Sequence, residues 1–345
     1  MEEEIEAIAR QIQSISLERQ QFAKLLRGEN CCFEQMLEKQ LYYRVEPAKA
    51  EGKVAAVDCG IVGQEFHGFD FLVSRTVGVV FEYQENKPKK HWYFPSASPT
   101  LKYDIRGGLE NYELAWHKSL FRLKNEILCA AELISKHKPE YLFLDGSIAP
   151  LISDKPSEES QMLPLYKEVI ELYKHLYESC LKSSCTLCGI IKDSRSKRFV
   201  EIVSKHPQIG EKLKNTADSN FLFFLLQQGE RTCAFEYSSC KHHVLKDLGE
   251  WADKIISFYI KPVENDRPLR VEFLSNSRSF SEIASFVHTL SCLHKAYAYP
   301  AILIEADLRA ALSYEEVERT YGLLFSKLKG IPELWKLRRN MRPFR

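Results

Sequence analysis

The sequence predicts an α/β fold with a mixed central sheet, and three observations carry that reading. A short apolar segment, Lys53 to Asp58, ends in a carboxylate, and so does a second, Tyr141 to Asp145. Between them Leu109 to His137 repeats with helical period, and strand, helix, strand then recurs through 163–181 and 188–192. The chain has 345 residues, 45% of them hydrophobic, enough for a sizeable core. No apolar run approaches the ~18 residues of a membrane span, and 15 Gly and 14 Pro leave no room for a collagen-like or low-complexity chain.

The elements follow in order. Ile5, Ile8, Ile12, Ile15, Leu17, Phe22, Leu25 and Leu26 recur mostly at three and four, an amphipathic helix or a helical pair that either docks a partner or packs on its own domain. Lys53 to Asp58 reads as a buried strand stopping at its acid, with Gly60 and Gly63 as turn residues. Residues 69–83, rich in Val and Phe, form a long strand, residues 84–90 a polar turn and residues 91–95 a third strand. The long helix carries Leu120, Leu123, Ile127, Ala131 and Ile134 inward and stops before Pro139. Residues 220–228 read as helix, 255–261 and 269–274 as a β pair around Asn265-Asp266, and the chain from Ser281 onward as two or three helices.

Charge says little about partners, because 48 Lys and Arg against 47 Asp and Glu leave +1. The start, Met1-Glu2-Glu3-Glu4, is acidic and no apolar segment of a signal peptide follows, so the compartment is read as cytoplasmic and the ten cysteines as reduced thiols.

Parallel neighbours in an α/β sheet end on one edge, where functional groups collect. If the two strands are neighbours, Asp58 faces Asp145, and two such carboxylates share a proton or a divalent metal. Oxygen-only ligands favour Mg²⁺ or Mn²⁺ over zinc, and that chemistry suits phosphodiester hydrolysis. Asp before Gly is also an ordinary turn signal.

The order of motifs is more specific. Val54-Ala-Ala-Val-Asp58-Cys-Gly60 and Tyr141-Leu-Phe-Leu-Asp145-Gly-Ser147 resemble the strand motifs of the NurA nuclease family. Gly189-Ile-Ile-Lys192 follows, then Asp218 with Leu222, Leu225 and Gly229-Glu230-Arg231, then Phe258 to Lys261, Arg270-Val-Glu272-Phe and Tyr299-Pro300 with Ala306. The resemblance spans roughly residues 50–320. It implies an RNase H-like mixed α/β domain, taken over 49–325; the apolar spacing before it makes 1–48 a helical extension for dimerisation or docking, and the charges after it make 326–345 a basic tail. It implies Asp58 and Asp145 as metal ligands, with Glu126 of the intervening helix as the third and Glu113 as a fallback. Where the family pattern has Ala-His, this chain has Ala306-Asp307, so Asp307 becomes the candidate fourth ligand.

The resemblance also implies a Mn²⁺-dependent deoxyribonuclease, with Mg²⁺ as an alternative, acting as a 5′-to-3′ exonuclease and single-strand endonuclease. A homodimer and a HerA-type hexameric helicase partner in DNA end resection go with it. The chain has no phosphate-loop motif, so ATP-driven unwinding falls to such a partner. A DNA-binding scaffold without turnover, which the Asp307 departure favours, and an RNA nuclease are the competing readings.

Lys192 at its strand end is suited to the scissile phosphate, and Arg195, Lys197 and Arg198 make the following segment basic, as a polyanion requires. Tyr299 either positions substrate or fills the core. The tail holds Lys327, Lys329, Lys336, Arg338, Arg339, Arg342 and Arg345 against Glu333 alone, with Trp335 and Phe344 between them, so Arg338 and Arg339 are candidate DNA contacts. Cys185-Thr-Leu-Cys188 has half a zinc spacing, with Cys233, Cys240, His242 and His243 as a conceivable other half, but packed thiols are the expectation.

Overall fold

A computed structural model describes residues 2–29, 31–238, 243–328, 331–332 and 335–338. Helix α1 (Glu2–Gly28) leads into strands β1 (Tyr42–Arg44), β2 (Gly52–Glu65), β3 (Asp70–Gln84), β4 (Lys87–Phe94) and β5 (Lys102–Arg106). Helix α2 (Asn111–His137), β6 (Tyr141–Asp145), α3 (Leu163–Lys182) and β7 (Thr186–Ile191) follow, then α4 (Arg198–Val203), α5 (Asp218–Leu225), β8 (Glu230–Thr232) and β9 (Phe235–Glu236). Helix α6 (His243–Leu248), the pair β10 (Ile255–Lys261) and β11 (Leu269–Leu274), and helices α7 (Phe280–Ser291), α8 (Ala301–Ala310) and α9 (Tyr314–Lys327) complete the chain.

One sheet orders the strands β1-β8-β10-β11-β7-β6-β2-β3-β4, with β5 on β3 and β9 on β10. Strands β2, β6 and β7 run parallel, and β2-β3-β4 is an antiparallel meander, which is the mixed α/β arrangement expected. Strand alternation sorts the core. Val54 and Ala56 pack with Phe143, Val287, Leu303 and Ala306 on the α7–α8 face, whereas Ala55 and Val57 pack with Leu144, Ile127 and Val169 on the α2–α3 face. Ser279 with Glu282 and Ser313 with Glu316 form capping boxes that start α7 and α9. Lys138, left-handed at φ 49°, ends α2 ahead of Pro139.

Several boundaries differ from expectation. β2 does not stop at Asp58; it runs to Glu65 because β3 pairs with it along its whole length. Gly60 is therefore no turn residue: a Cβ there would lie 2.2 Å from the Ala310 carbonyl oxygen, so the glycine admits the end of α8. The turn after β3 is only Glu85-Asn86, both at positive φ, and this two-residue hairpin puts Lys87–Lys90 into β4. The inner stripe of α2 passes through Ala130 and Leu133, with Ala131 half-buried. Strands β1, β5, β8 and β9 have no counterpart in the sequence pattern.

The last turns of α1 bury Ala23 and Leu26 in a cluster with Phe221, Leu222 and Leu225 of α5, while Ile5, Ile8, Ile12, Ile15 and Leu17 stay exposed. No helix among the described residues is long and apolar enough to cross a membrane.

Candidate metal centre

In the parallel pairing of β2 with β6, Val57 stands opposite Leu144, so the next residues, Asp58 and Asp145, lie level where β6 ends. Asp58 continues the Val54–Ala56 face and Asp145 the Tyr141–Phe143 face, so both carboxylates emerge on the side covered by α8. α8 brings Asp307, exposed, one residue beyond buried Ala306. Glu126 arrives from α2 on the opposite face, 6% exposed, with its Oε1 2.7 Å from the Arg122 guanidinium one turn earlier. Glu113, the fallback, sits thirteen positions up the same helix, roughly 20 Å away by helical rise. It accepts hydrogen bonds from Ser160 and Gln161 and helps cap α2.

Electrostatics bind the acids into one site. Burial, then the charge of Asp145, pushes Asp58 up to about 6, with a further contribution from Asp307. Burial, reinforced by Asp58 and Asp145 and opposed by Arg122, pushes Glu126 up to about 7. Asp145 is the anchored member: the Tyr299 hydroxyl donates to its Oδ1 at 2.7 Å and Lys192 Nζ lies 3.0 Å from its Oδ2. Burial works to lower the Lys192 pKa, but Asp145 and Asp307 outweigh it and the net direction is up. Its ammonium also rests 4.2 Å above the Tyr299 ring. Tyr299 is 1% exposed, so it cannot stack on a nucleotide base; it fills the core and holds Asp145.

Among the described residues, the group of potential ligands whose atoms all fall within 4.8 Å of one another is Glu29, Cys31 and His206. There Glu29 and His206 stand 2.8 Å apart, Oε2 to Nε2, linking the end of α1 to the turn after α4. The oxygens of Asp58, Glu126 and Asp145 spread wider than that, with Lys192 and Arg122 each engaging one of the acids.

A cleft of about 730 Å³ opens beside Glu126 and Asp145 and runs along the loop after β7. Arg195 and Lys197 line it and are exposed, Lys197 donating to the Lys214 carbonyl at 3.0 Å. Arg198 lines it as well but departs from the exposed basic cluster expected, because α4 turns its side chain inward to 6% exposure. Arg338 is exposed and Arg339 lies outside the described residues. The segment before Arg338 pairs with the β2–β3 end: the His67 amide donates to the Trp335 carbonyl at 2.8 Å, and Lys336 bridges to Phe66. Cys185, Cys188 and Cys233 are buried free thiols, as expected of packed cysteines; Cys240 and His242 fall outside the described residues.

Sequence reasoning registered Arg270 and Glu272 only as a motif, yet they form a buried pair at the cleft. Arg270 Nε donates to Glu272 at 2.8 Å and Nη1 to Ser196 Oγ at 2.7 Å, while Ser147 Oγ donates to Glu272 at 2.6 Å. Two charges alternating in the apolar run Leu269–Leu274 were the available signal.

A family model for the NurA domain matches residues 52–312, from the first residue of β2 to just past α8, and so takes in all four acids and Lys192. The chain belongs to the NurA family. Among solved structures, the NurA nuclease from Sulfolobus solfataricus is similar with a TM-score of 0.61 at 17% identity, over 94% of this chain and 96% of that one. Another NurA superposes with a TM-score of 0.52 at 9% identity, over 84% and 91%. A NurA solved with manganese gives 0.51 at 11% identity, over 93% and 98%. At these identities the similarity shows that the NurA fold is shared over nearly the whole chain. No curated protein sequence matches it.

Proposed function

We propose that this NurA-family protein is a metal-dependent deoxyribonuclease whose divalent ion, Mn²⁺ or Mg²⁺, is held by Asp58, Glu126 and Asp145, with Asp307 at the rim. The observation that carries this reading is the concentration of carboxylate charge at one strand edge, where burial and mutual repulsion lift Asp58 to about 6 and Glu126 to about 7. Hard oxygen donors crowded at one edge, their charge only partly offset by Lys192 and Arg122, fit a hard divalent cation. A NurA relative solved with manganese agrees with that choice. Bound there, the ion would act as a Lewis acid on the phosphate and lower the pKa of attacking water.

The protein's own groups set the geometry. Tyr299 fixes the orientation of Asp145 through its hydroxyl, and Arg122 holds Glu126 toward the site from one turn away. Lys192 is within reach of the same edge, where its ammonium can take a non-bridging oxygen of the scissile phosphate as charge develops. Arg195 and Lys197 track the backbone along the cleft. Family resemblance supports 5′-to-3′ exonuclease and single-strand endonuclease activity, homodimerisation, and work in DNA end repair beside a HerA-type ATPase. The exposed isoleucine row of α1 offers an apolar face for such assembly, and Arg338 of the tail a rim contact with DNA.

Cleavage of end-labelled single- and double-stranded DNA in Mn²⁺, Mg²⁺ or EDTA, for wild type, Asp58→Ala and Asp145→Ala, tests the reading. Metal-dependent cutting abolished in both variants is expected, and the label gives the polarity. Asp307 in place of the family His favours a second reading, a DNA-binding scaffold without turnover. Wild type that binds DNA but cuts under no metal, with or without a cognate helicase, would establish that reading instead.

A further inference from the structure

The cleft holds one basic group of a different kind from its neighbours. Arg198 is 6% exposed, its Nε donates to the Glu236 carbonyl at 3.2 Å, and its Nη2 is buried without a hydrogen-bond partner. The carboxylates facing it stand off, Glu201 at 3.8 Å from Nη1 and Glu236 at 4.0 Å from Nη2, and buried Asp218 acts on it through its charge. Arg270, on β11, faces it too, but spends its own nitrogens on Glu272, Ser196 and Ser257. A buried guanidinium nitrogen left unpaired is costly, and burial pulls the Arg198 pKa down, so Nη2 is a donor that no described residue satisfies with a hydrogen bond.

We propose that Arg198 forms a dedicated phosphate subsite in this cleft, separate from the metal acids, which takes a non-scissile phosphate of the bound strand. This rests on the nuclease reading and deepens it, because it fixes which phosphate-binding group sets the register of the strand. The cleft connects the two places: Glu126 and Asp145 line one part and Arg198 another, and its volume of about 730 Å³ leaves room for more than the scissile group alone. Arg195 and Lys197 are exposed charges of the kind that attract any polyanion, whereas a desolvated guanidinium held through its Nε offers its unpartnered Nη2 to one anion at a fixed place.

The test is equilibrium binding of a labelled single-stranded oligonucleotide to the full chain in EDTA, by anisotropy, across a salt series. Arg198→Gln is expected to weaken binding about tenfold and to reduce the salt slope by about 0.7, the equivalent of one phosphate. Oligonucleotides with a neutral methylphosphonate at one position, or lacking the terminal phosphate, locate the contact. One such change should weaken wild type and leave Arg198→Gln unaffected, an internal position meaning a backbone diester and the end meaning a terminal monoester.

Arg198→Lys, which keeps the stem and charge but not the planar fork, guards against a folding defect and should bind with intermediate affinity. Unchanged affinity and slope in both variants, or no oligonucleotide for which wild type and variant converge, overturns the subsite. Wild type that cuts no DNA sinks the nuclease reading and leaves this binding result to stand by itself. Wild type that cuts DNA, with Arg198→Gln indistinguishable from it, sinks the subsite alone.

Discussion

Asp58 carries an electrostatic penalty that burial imposes first and the charge of Asp145 second. Its folded value of about 6 lies above the ordinary 3.8, so between roughly pH 4 and 6 the folded chain keeps a proton that the unfolded chain has released. Its contribution to stability is therefore fully present below pH 4 and is lost as pH rises through 6. In EDTA at pH 8, Asp58→Asn is expected to melt above wild type, by the equivalent of about 1–3 kcal/mol, and at pH 4.5 the gap should shrink toward zero. Saturating Mn²⁺ should raise the wild-type Tm at pH 8 and raise that of Asp58→Asn less. A pH-independent difference between the two proteins, read by thermal melts, would mean that Asp58 is not desolvated among like charges. Tyr299→Phe removes only the hydroxyl that orients Asp145. Its turnover number should fall about tenfold with KM for DNA nearly unchanged, and at a cost to stability of about 1.5–3 kcal/mol.

At the scale of elements, the motif spacing exposed the two acidic strands but not what surrounds them. Asp58 and Asp145 were legible as strand-end acids because each follows a short apolar run, whereas Glu126 was singled out only by the Arg-to-Glu spacing that the NurA resemblance implies. The overrun of β2 to Glu65 was not legible, since pairing with β3 rather than local propensity extends it. Nor was the inward turn of Arg198, because exposure of a basic residue depends on packing around α4. The alternating charges of β11 were visible but unread. Arg270 and Glu272 tie the loop after β6 to the loop after β7, through Ser147 and Ser196. Arg270→Ala should cost about 3–5 kcal/mol by leaving Glu272 buried and unpaired, and Arg270→Met with Glu272→Leu should recover much of that in denaturant melts. The double variant should nonetheless cleave slowly, because the two loops lose their shared tie. Gly60→Ala forces a methyl against the Ala310 backbone. It should displace the end of α8 and lower activity more than an alanine at Gly63, where the neighbour is the movable Leu72 side chain at 3.0 Å.

Across the whole molecule, the eleven-stranded sheet is one continuous body, with cores on both faces and a separate cluster under α1. The amphipathic period of α1 was read correctly as a helix, yet its apolar row lies mostly outward and only its last turns pack on α5. Deleting residues 2–15 is therefore expected to leave Tm within about 2 °C. If the row mediates assembly, the solution mass measured by light scattering should fall at the same time. An unaltered mass would assign oligomerisation to another surface.

The acids that meet at the sheet edge come from positions 58, 126, 145 and 307, and the hydroxyl that steadies Asp145 comes from position 299. During synthesis the first three leave the ribosome long before α8 exists. A chain stalled between β7 and α8 lacks both the hydroxyl that orients Asp145 and the ring beneath Lys192. On the reading proposed above, the order of elements thus delays the complete site until almost the last helix is made, and a chain truncated before Tyr299 is expected to show no metal-dependent cleavage.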